Sequence, residues 1–257
     1  MADRAFRVDR ADGVVRCTLD RPPLNLLDPE LIKDLHDTFA TLSRDDSVRA
    51  VVLAATGRAF TGGMNVRVLR DLDVVSAKTL ISSLCAAIDA VHRAPFPVIA
   101  AVNGPCLGAG FELALACDLR VAAAGAVFGL PEVRVGVPSV IQAALLPPLI
   151  GPGRAAELLL LGTSVSVAQA LEWGLVNRVV EAGGLDAAVD DLLDALSRCA
   201  PGAVRLQKEL IIRWRETDLP SAVQAGVNAF ATAYASREPR EGAEAFLAKR
   251  APRFGRV

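Results

Sequence analysis

The amino-acid sequence predicts an α/β fold whose last hundred residues are mostly helical. Two continuous apolar runs, 50–54 and 97–102, have the length of strands that are covered on both faces, and a helical pattern separates them. This strand–helix–strand order favours parallel pairing of the two strands. Beyond Ile141 strand signals fade and helical segments recur, which indicates a helical layer on an α/β core.

The individual elements follow from local signals in chain order. The segment Val14–Leu19 alternates as a strand, and Asp28 is the expected N-cap of a helix that runs to about Leu42. A helix is expected from about 76 to 92 and a short buried strand at 119–122. Later helices are predicted around 153–161, 184–198, 201–215, 220–236 and 239–250. No change of composition marks a linker, so we expect one domain.

Composition limits the classes of function. Hydrophobic residues make up 52% of the chain and charged residues 22%, which supports a sizeable core and argues against disorder. Lys and Arg number 28 against 29 Asp and Glu, so no basic excess favours nucleic acid or a membrane surface as a partner. The opening residues 1–4 have no apolar segment behind them and resemble neither a signal nor a transit peptide. We therefore expect a cytoplasmic protein.

Cysteine and histidine usage argues against metal chemistry. The five cysteines form no CxxC pair, which favours neither a disulfide framework nor a zinc site. Only His36 and His92 could supply imidazoles; neither has a partner at metal-ligand spacing, and both are predicted to lie on the surface. Metal hydrolysis and histidine-based triads are therefore not expected.

The most informative motif is a glycine-rich turn at residues 107–110 that opens an apolar helix. Backbone N–H groups at such a helix start can hold a developing oxyanion. Glu112 lies one turn into this helix, and one interpretation is that this acid only stabilises the helix dipole. Its apolar neighbours indicate burial, however, so the carboxylate needs a partner or a purpose. Glu132, which follows Pro131, could equally be a loop residue; together the two acids could share proton transfer at a carbonyl compound.

Nucleotide-binding interpretations of the glycine turn are weak. Leu113 stands where a dinucleotide fingerprint needs Gly or Ala, and the acidic residue expected about twenty positions later is missing. The chain also has no Gly-Lys-Ser/Thr triplet, which a phosphate loop of the Walker type requires.

Six sequence motifs occur together along almost the whole chain. They are RAFTGGMNV at 58–66, PVIAAVNG at 97–104, LGAGFELALACD at 107–118, FGLPEV at 128–133, GLVN at 174–177 and FLAKR at 246–250. In this combination and order the sequence resembles the crotonase superfamily, and within it the enoyl-CoA hydratases most closely. Two departures stand out. Met64-Asn65 replaces the Ala-Asp of many relatives, and residues 135–142 replace a longer glycine-rich loop that shapes the acyl pocket.

The resemblance implies a fold and an activity. It implies a spiral of ββα turns over residues 1–183, which carries an acyl-CoA site, followed by a helical trimerisation region over 184–257. The implied enzyme is a lyase of fatty acid metabolism that adds water in syn fashion to a trans-2-enoyl-CoA and forms a 3-hydroxyacyl-CoA. Coenzyme A enters as part of the substrate, with no separate cofactor and no metal. The implied assembly is a trimer or a dimer of trimers.

The resemblance also assigns roles to residues. The backbone N–H groups of Met64 and Ala109 form the oxyanion hole, and Glu112 and Glu132 are catalytic. Contacts with coenzyme A and substrate fall on Gly62, Val66, Arg67, Gly108, Pro131 and Lys249, the last reaching an adjacent subunit's site. We expect both carboxylates to face a common pocket, and both amides to be free of internal hydrogen bonds.

Two alternatives to the hydratase remain open at this stage. A Δ3,Δ2-enoyl-CoA isomerase would need only one glutamate, and a catalytically silent acyl-CoA-binding homologue would need neither. The C-terminal region also carries apolar residues, some of which are expected to pack against a neighbouring subunit. These residues are Leu192, Leu193, Leu196, Val223, Val227 and Phe230.

Overall fold

The computed structural model describes residues 6–181 and 183–254, and its strands form two sheets. The strands are β1 Phe6–Ala11, β2 Val14–Leu19, β3 Ala50–Ala55, β4 Val98–Val102, β5 Cys106–Leu107, β6 Leu119–Ala123, β7 Val127–Gly129, β8 Ser164–Ser166 and β9 Arg178–Val180. The larger sheet has the order β1-β2-β3-β4-β6-β9, and the smaller has the order β5-β7-β8. The β1–β2 and β7–β8 pairs are antiparallel, and all the other pairs are parallel.

Helices cover both faces of the larger sheet and form the C-terminal region. They are α1 Pro29–Leu42, α2 Val66–Arg70, α3 Val74–His92, α4 Ala109–Ala116, α5 Leu146–Ile150, α6 Pro152–Leu161, α7 Val167–Glu172, α8 Leu185–Ser197, α9 Pro201–Glu216, α10 Leu219–Ala233 and α11 Glu238–Leu247. Two short 3-10 helices span Pro131–Val135 and Gln142–Leu145. The predicted N-cap is confirmed, since the Asp28 side chain accepts a hydrogen bond from the Leu31 amide.

The two apolar runs pair in parallel as β3 and β4, as predicted. Because successive strand residues point to opposite faces, each run supplies two hydrophobic cores. Val51 and Val98 belong to the larger core with α1, α3 and α4. Val52 and Ile99 pack on the other face against α8. Both faces are therefore covered, which explains why polar residues are missing from these strands.

The C-terminal helices divide into a docked part and an exposed part. Leu192, Leu193 and Leu196 of α8 pack against the sheet, so these three are not among the residues left for a neighbouring subunit. Val227 and Phe230 of α10 remain 58% and 70% exposed. The surplus apolar surface predicted from the sequence therefore lies on α10, not on α8.

Several short strands were not predicted from the sequence. The expectation that strands end near Ile141 is wrong, because β8 and β9 follow it, and β9 extends the larger sheet. Each has only three residues, too few for a visible alternation. β1 was also missed, since five of its six residues are exposed. The small sheet matters for the site because β5 ends directly before α4.

Helix α3 combines a long apolar sequence with a place beside the core. By length and composition alone it could cross a membrane. In this fold it packs along α1, and its Leu84, Ala87, Ile88 and Val91 are buried in the larger core. His92, at its end, was predicted on the surface but is half-buried near the Ala116 carbonyl. Burial lowers the pKa of His92.

Candidate active site

Glu112, the first of the two glutamates, lies on helix α4 in the interior of the protein. All eight residues of this helix are buried, Glu112 among them. Gly108 precedes the helix with φ +56°, a left-handed conformation that glycine adopts without strain. The Gly108 amide donates to the Gly129 carbonyl, which fixes the turn to β7. The small sheet therefore sets the position at which α4 begins.

A second glycine turn, at residues 62–64, touches the start of α4. A side-chain Cβ on Gly63 would lie 2.7 Å from the Leu107 carbonyl oxygen and 3.4 Å from the Ala109 amide nitrogen. No larger residue fits there, and Gly63 also has φ +85°. Glycine at this position therefore allows the backbone of Met64 to lie beside that of Ala109.

The amides of Met64 and Ala109 are left free by the hydrogen bonds around them. Leu27 donates to the Gly63 carbonyl and accepts from the Asn65 amide. These two hydrogen bonds use the residues before and after Met64 and do not involve the Met64 amide. Ala109 is the first residue of α4, where an amide has no partner within the helix. Within residues 6–181 and 183–254, neither amide donates a hydrogen bond. Both are thus available to bind an oxygen atom, as predicted.

Glu112 is only 3% exposed, and backbone amides hold its carboxylate. Its Oε1 atom accepts from the amides of Ile141 at 2.9 Å and Ala143 at 3.1 Å. Burial raises the pKa of Glu112, and the nearby Glu132 charge raises it further, whereas the two amides act in the opposite direction. Among residues 6–181 and 183–254 no hydrogen-bond donor reaches the Glu112 Oε2 atom, which leaves this atom for a substrate or a water molecule.

Glu132 lies in the first turn of the 3-10 helix Pro131–Val135 and is half-buried. Its Oε2 atom accepts a hydrogen bond of 2.8 Å from the Ser139 hydroxyl. Its Oε1 atom approaches the start of α4, since a Cβ on Gly108 would lie 2.8 Å from it. The second carboxylate therefore faces the turn that presents the Ala109 amide.

Both glutamates and both amide-bearing residues line one cavity of about 530 Å³. Its other walls are largely apolar and come from α2, α3, the link between these helices and the segment after Glu132. They include Leu69, Leu72, Leu80, Ile81, Leu84, Val135, Val137 and Val140. Such a cavity suits an apolar chain that ends in a polar reactive group. The prediction that the two acids face a common pocket is confirmed.

The residues expected to contact coenzyme A fall into two groups. Gly62, Val66, Gly108 and Pro131 line the cavity. The other two, Arg67 and Lys249, are exposed and do not line it.

Other wall residues were missed from the sequence. The cations Lys78 and Arg134 lie at the cavity, as does Ser139, and no local signal marks them as members of one site. The amide donors to Glu112, Ile141 and Ala143, were also missed because they lie 29 and 31 residues away along the chain. Among the described residues, no group of three or more His, Cys, Asp and Glu side chains could hold a metal ion.

Known proteins resemble the chain over nearly its full length. The model of the family described as "Enoyl-CoA hydratase/isomerase" matches residues 9–256. Crotonyl-CoA hydratase of Syntrophomonas wolfei is 33% identical over 260 residues, which cover 99% of each chain. Short-chain-enoyl-CoA hydratase of Clostridium acetobutylicum is 30% identical, covering 95% of this chain and 94% of its own.

A solved structure gives the same result for the fold. The crystal structure of enoyl-CoA hydratase from Mycobacterium smegmatis superposes with a TM-score of 0.94 at 34% identity. The match covers 98% of this chain and 99% of that one. The crotonase-like α/β fold with C-terminal helices, expected from the sequence motifs, is confirmed.

Proposed function

Because the chain belongs to the enoyl-CoA hydratase/isomerase family of the crotonase superfamily, we propose that it is an enoyl-CoA hydratase. The proposed reaction adds the hydroxyl of water to C3 and a proton to C2 of a trans-2-enoyl-CoA, giving a 3-hydroxyacyl-CoA. One observation carries the proposal: two carboxylates and two free backbone amides line a single, mainly apolar cavity. The thioester is activated by these groups, so no separate cofactor is part of the proposal.

The two amides are proposed to stabilise the enolate that forms during addition. The thioester oxygen accepts hydrogen bonds from Met64 and Ala109, and the negative charge that develops on it strengthens both. Removal of one such donor typically raises a barrier by about 3–4 kcal/mol. Because these donors belong to the backbone of rigid turns, they need no reorganisation when the charge appears.

The two glutamates are proposed to share the proton transfers. They position and deprotonate water as it attacks C3, and they supply the proton that reaches C2. Each acid has one oxygen held by protein donors, so the Oε2 atom of Glu112 and the Oε1 atom of Glu132 remain for this chemistry. The raised pKa of Glu112 suits proton exchange nearer neutral pH than an ordinary carboxyl allows.

The test is the loss of enoyl-thioester absorbance with crotonyl-CoA, combined with identification of the product. The expected product is 3-hydroxybutyryl-CoA. Conversion of a 3-enoyl-CoA to the 2-enoyl isomer without hydration would support the isomerase alternative, which needs one acid only. Saturable binding of the thioester without turnover would support a silent binding protein. Either result would overturn the hydratase proposal.

A trimer, or a dimer of trimers, is the proposed assembly. Val223, Val227 and Phe230 on α10 expose apolar surface that a neighbouring subunit would cover. In such an assembly Lys249 would bind the phosphates or the adenine of coenzyme A in an adjacent site, with Arg67 contributing from its own chain. Light scattering at micromolar concentration tests this, and a monomer would refute both the assembly and the role of Lys249 across a subunit boundary.

A further inference from the structure

The Ser139 hydroxyl contacts the carboxylate of Glu132, one of the two acids of the cavity. We propose that Ser139 is a positioning residue, which fixes the Glu132 carboxylate so that its Oε1 atom faces the oxyanion site. The inference rests on the proposed function for its catalytic consequence, but its geometric part can be tested without turnover. It begins from the 2.8 Å hydrogen bond that the Ser139 hydroxyl donates to Glu132 Oε2.

Ser139 is the only donor that the carboxylate has in the described part of the chain. Glu132 forms no ion pair there, although Arg134 is close in sequence; the Arg134 Nε group donates to the Leu161 carbonyl instead. A glutamate side chain with three free torsions loses conformational freedom when it is held in one orientation. The hydroxyl of Ser139 supplies the interaction that selects this orientation.

The backbone between the two residues is built to bring them together. The 3-10 helix Pro131–Val135 is followed by its C-cap Gly136, whose φ of +86° reverses the direction of the chain. The Val137 amide then donates to the carbonyl of Glu132 itself at 3.2 Å. Pro138 follows and restricts the backbone immediately before Ser139. Both the backbone and the side chain of Glu132 are therefore held by residues five and seven positions later.

The same segment holds the other acid. Ile141 and Ala143 donate their amides to Glu112, as described above, and they follow Ser139 by two and four residues. Residues 137–143 thus orient both carboxylates of the cavity, one through a side chain and the other through the backbone. Only the contact of Ser139 can be removed by a substitution without changing the backbone donors.

Three variants isolate the role of the hydroxyl. Ser139→Ala removes it, Ser139→Thr retains it, and Ser82→Ala removes the hydroxyl of an exposed serine of α3 that does not line the cavity. We expect Ser139→Ala to lower kcat for crotonyl-CoA about ten- to a hundredfold, with KM within about threefold, because misplaced catalytic groups lose rate more than binding. Ser139→Thr should restore most of kcat, and Ser82→Ala should not change it.

Combination with Glu132→Gln separates positioning from a general structural effect. If Ser139 acts through the Glu132 carboxylate, Ser139→Ala causes little further loss in the Glu132→Gln background. An equal loss in both backgrounds would overturn the proposal, because the hydroxyl would then act independently of Glu132. An unchanged kcat for Ser139→Ala alone would overturn it as well.

Crystal structures of the wild type and of Ser139→Ala test the geometry directly. We expect the Ser139–Glu132 hydrogen bond in the wild type, and in the variant a Glu132 carboxylate that has rotated or occupies two conformers. A carboxylate that keeps its orientation without the hydroxyl would overturn the proposal. If the wild type fails to hydrate crotonyl-CoA, the proposed function fails, while this pair of structures still decides whether Ser139 positions Glu132.

Discussion

The two acids of the cavity come from regions of opposite character. Glu112 belongs to a helix buried on all sides, and the backbone of another segment holds its carboxylate. Glu132 belongs to a short 3-10 helix with exposed neighbours, and a single side chain holds it. Glu112 is therefore part of the packed interior, whereas Glu132 lies at the cavity wall in a segment that is largely exposed. Substitutions at the two positions should therefore have different effects on stability.

The largest expected effect is on catalysis at Glu132, the half-buried acid. Glu132→Gln should lower kcat by about two to four orders of magnitude with little change in KM, because the amide cannot exchange a proton as the carboxylate does. Steady-state kinetics with crotonyl-CoA measure this. Glu209→Gln, at an exposed glutamate of α9, is the matched control. A near-normal kcat for Glu132→Gln would move the catalytic role elsewhere.

The next effect concerns stability and distinguishes the two regions most sharply. Glu112→Ala leaves the amides of Ile141 and Ala143 without their acceptor, which should lower the free energy of unfolding by about 1–3 kcal/mol. Glu112→Gln keeps an oxygen acceptor and should cost about 1 kcal/mol or less. Glu132→Ala should change stability by about 0.5 kcal/mol or less. Denaturant unfolding checks all three, and equal losses at both positions would contradict the comparison.

A smaller effect on kcat tests the close approach of Glu132 to Gly108, the residue that precedes α4. Gly108→Ala would place a Cβ 2.8 Å from Glu132 Oε1 and should displace that carboxylate, lowering kcat about tenfold. The matched control is Gly174→Ala, since Gly174 has φ +77° but no atom within 4 Å of the added Cβ. Both variants should lose about 1–3 kcal/mol of stability from backbone strain, but only the first should lose kcat. Similar kcat values for the two variants would argue against the contact.

The smallest effect is the pH dependence of stability at the buried acid. The pKa of Glu112 is raised in the folded state, so between its unfolded and folded pKa values the native protein binds more protons than the unfolded chain. The free energy of unfolding should therefore fall as pH rises through this interval. Glu112→Gln removes the titrating group and should flatten this part of the profile. An identical pH profile for the two proteins, measured by denaturant unfolding, would contradict the raised pKa.

Local signals in the sequence predicted the parts of the fold that local patterns control. β3 and β4 appear as continuous apolar runs, and Asp28 caps α1 through a contact only three residues away. The small sheet and β9 could not be found, because their short strands gain stability from neighbours distant in sequence. The sequence also did not decide which surface covers Leu192: its apolar character is visible, but tertiary packing places it against the sheet.

The residues of the candidate site also fall into those that the sequence indicated and those that only the tertiary structure revealed. The glycine turn, Glu112 and Glu132 were visible in the sequence, whereas the family motifs supplied Met64 and assigned both acids to one site. Ser139 gave no signal, because a serine seven residues from a glutamate is common in loops and only the reversal at Gly136 brings the two side chains together. The sequence therefore indicates which groups can react, and the tertiary structure shows how they are held.

The attachment of Glu112 to residues 141 and 143 has a consequence for the evolution of this scaffold. A residue that serves both chemistry and stability is difficult to replace, since each change must pass through a less stable protein. The stretch 132–140, in which all residues but Glu132 and Ser139 are exposed, does not have this double role. In laboratory evolution toward another acyl-CoA reaction, we therefore expect accepted substitutions to accumulate in that stretch, while position 112 retains a side chain with an oxygen that accepts from the two amides.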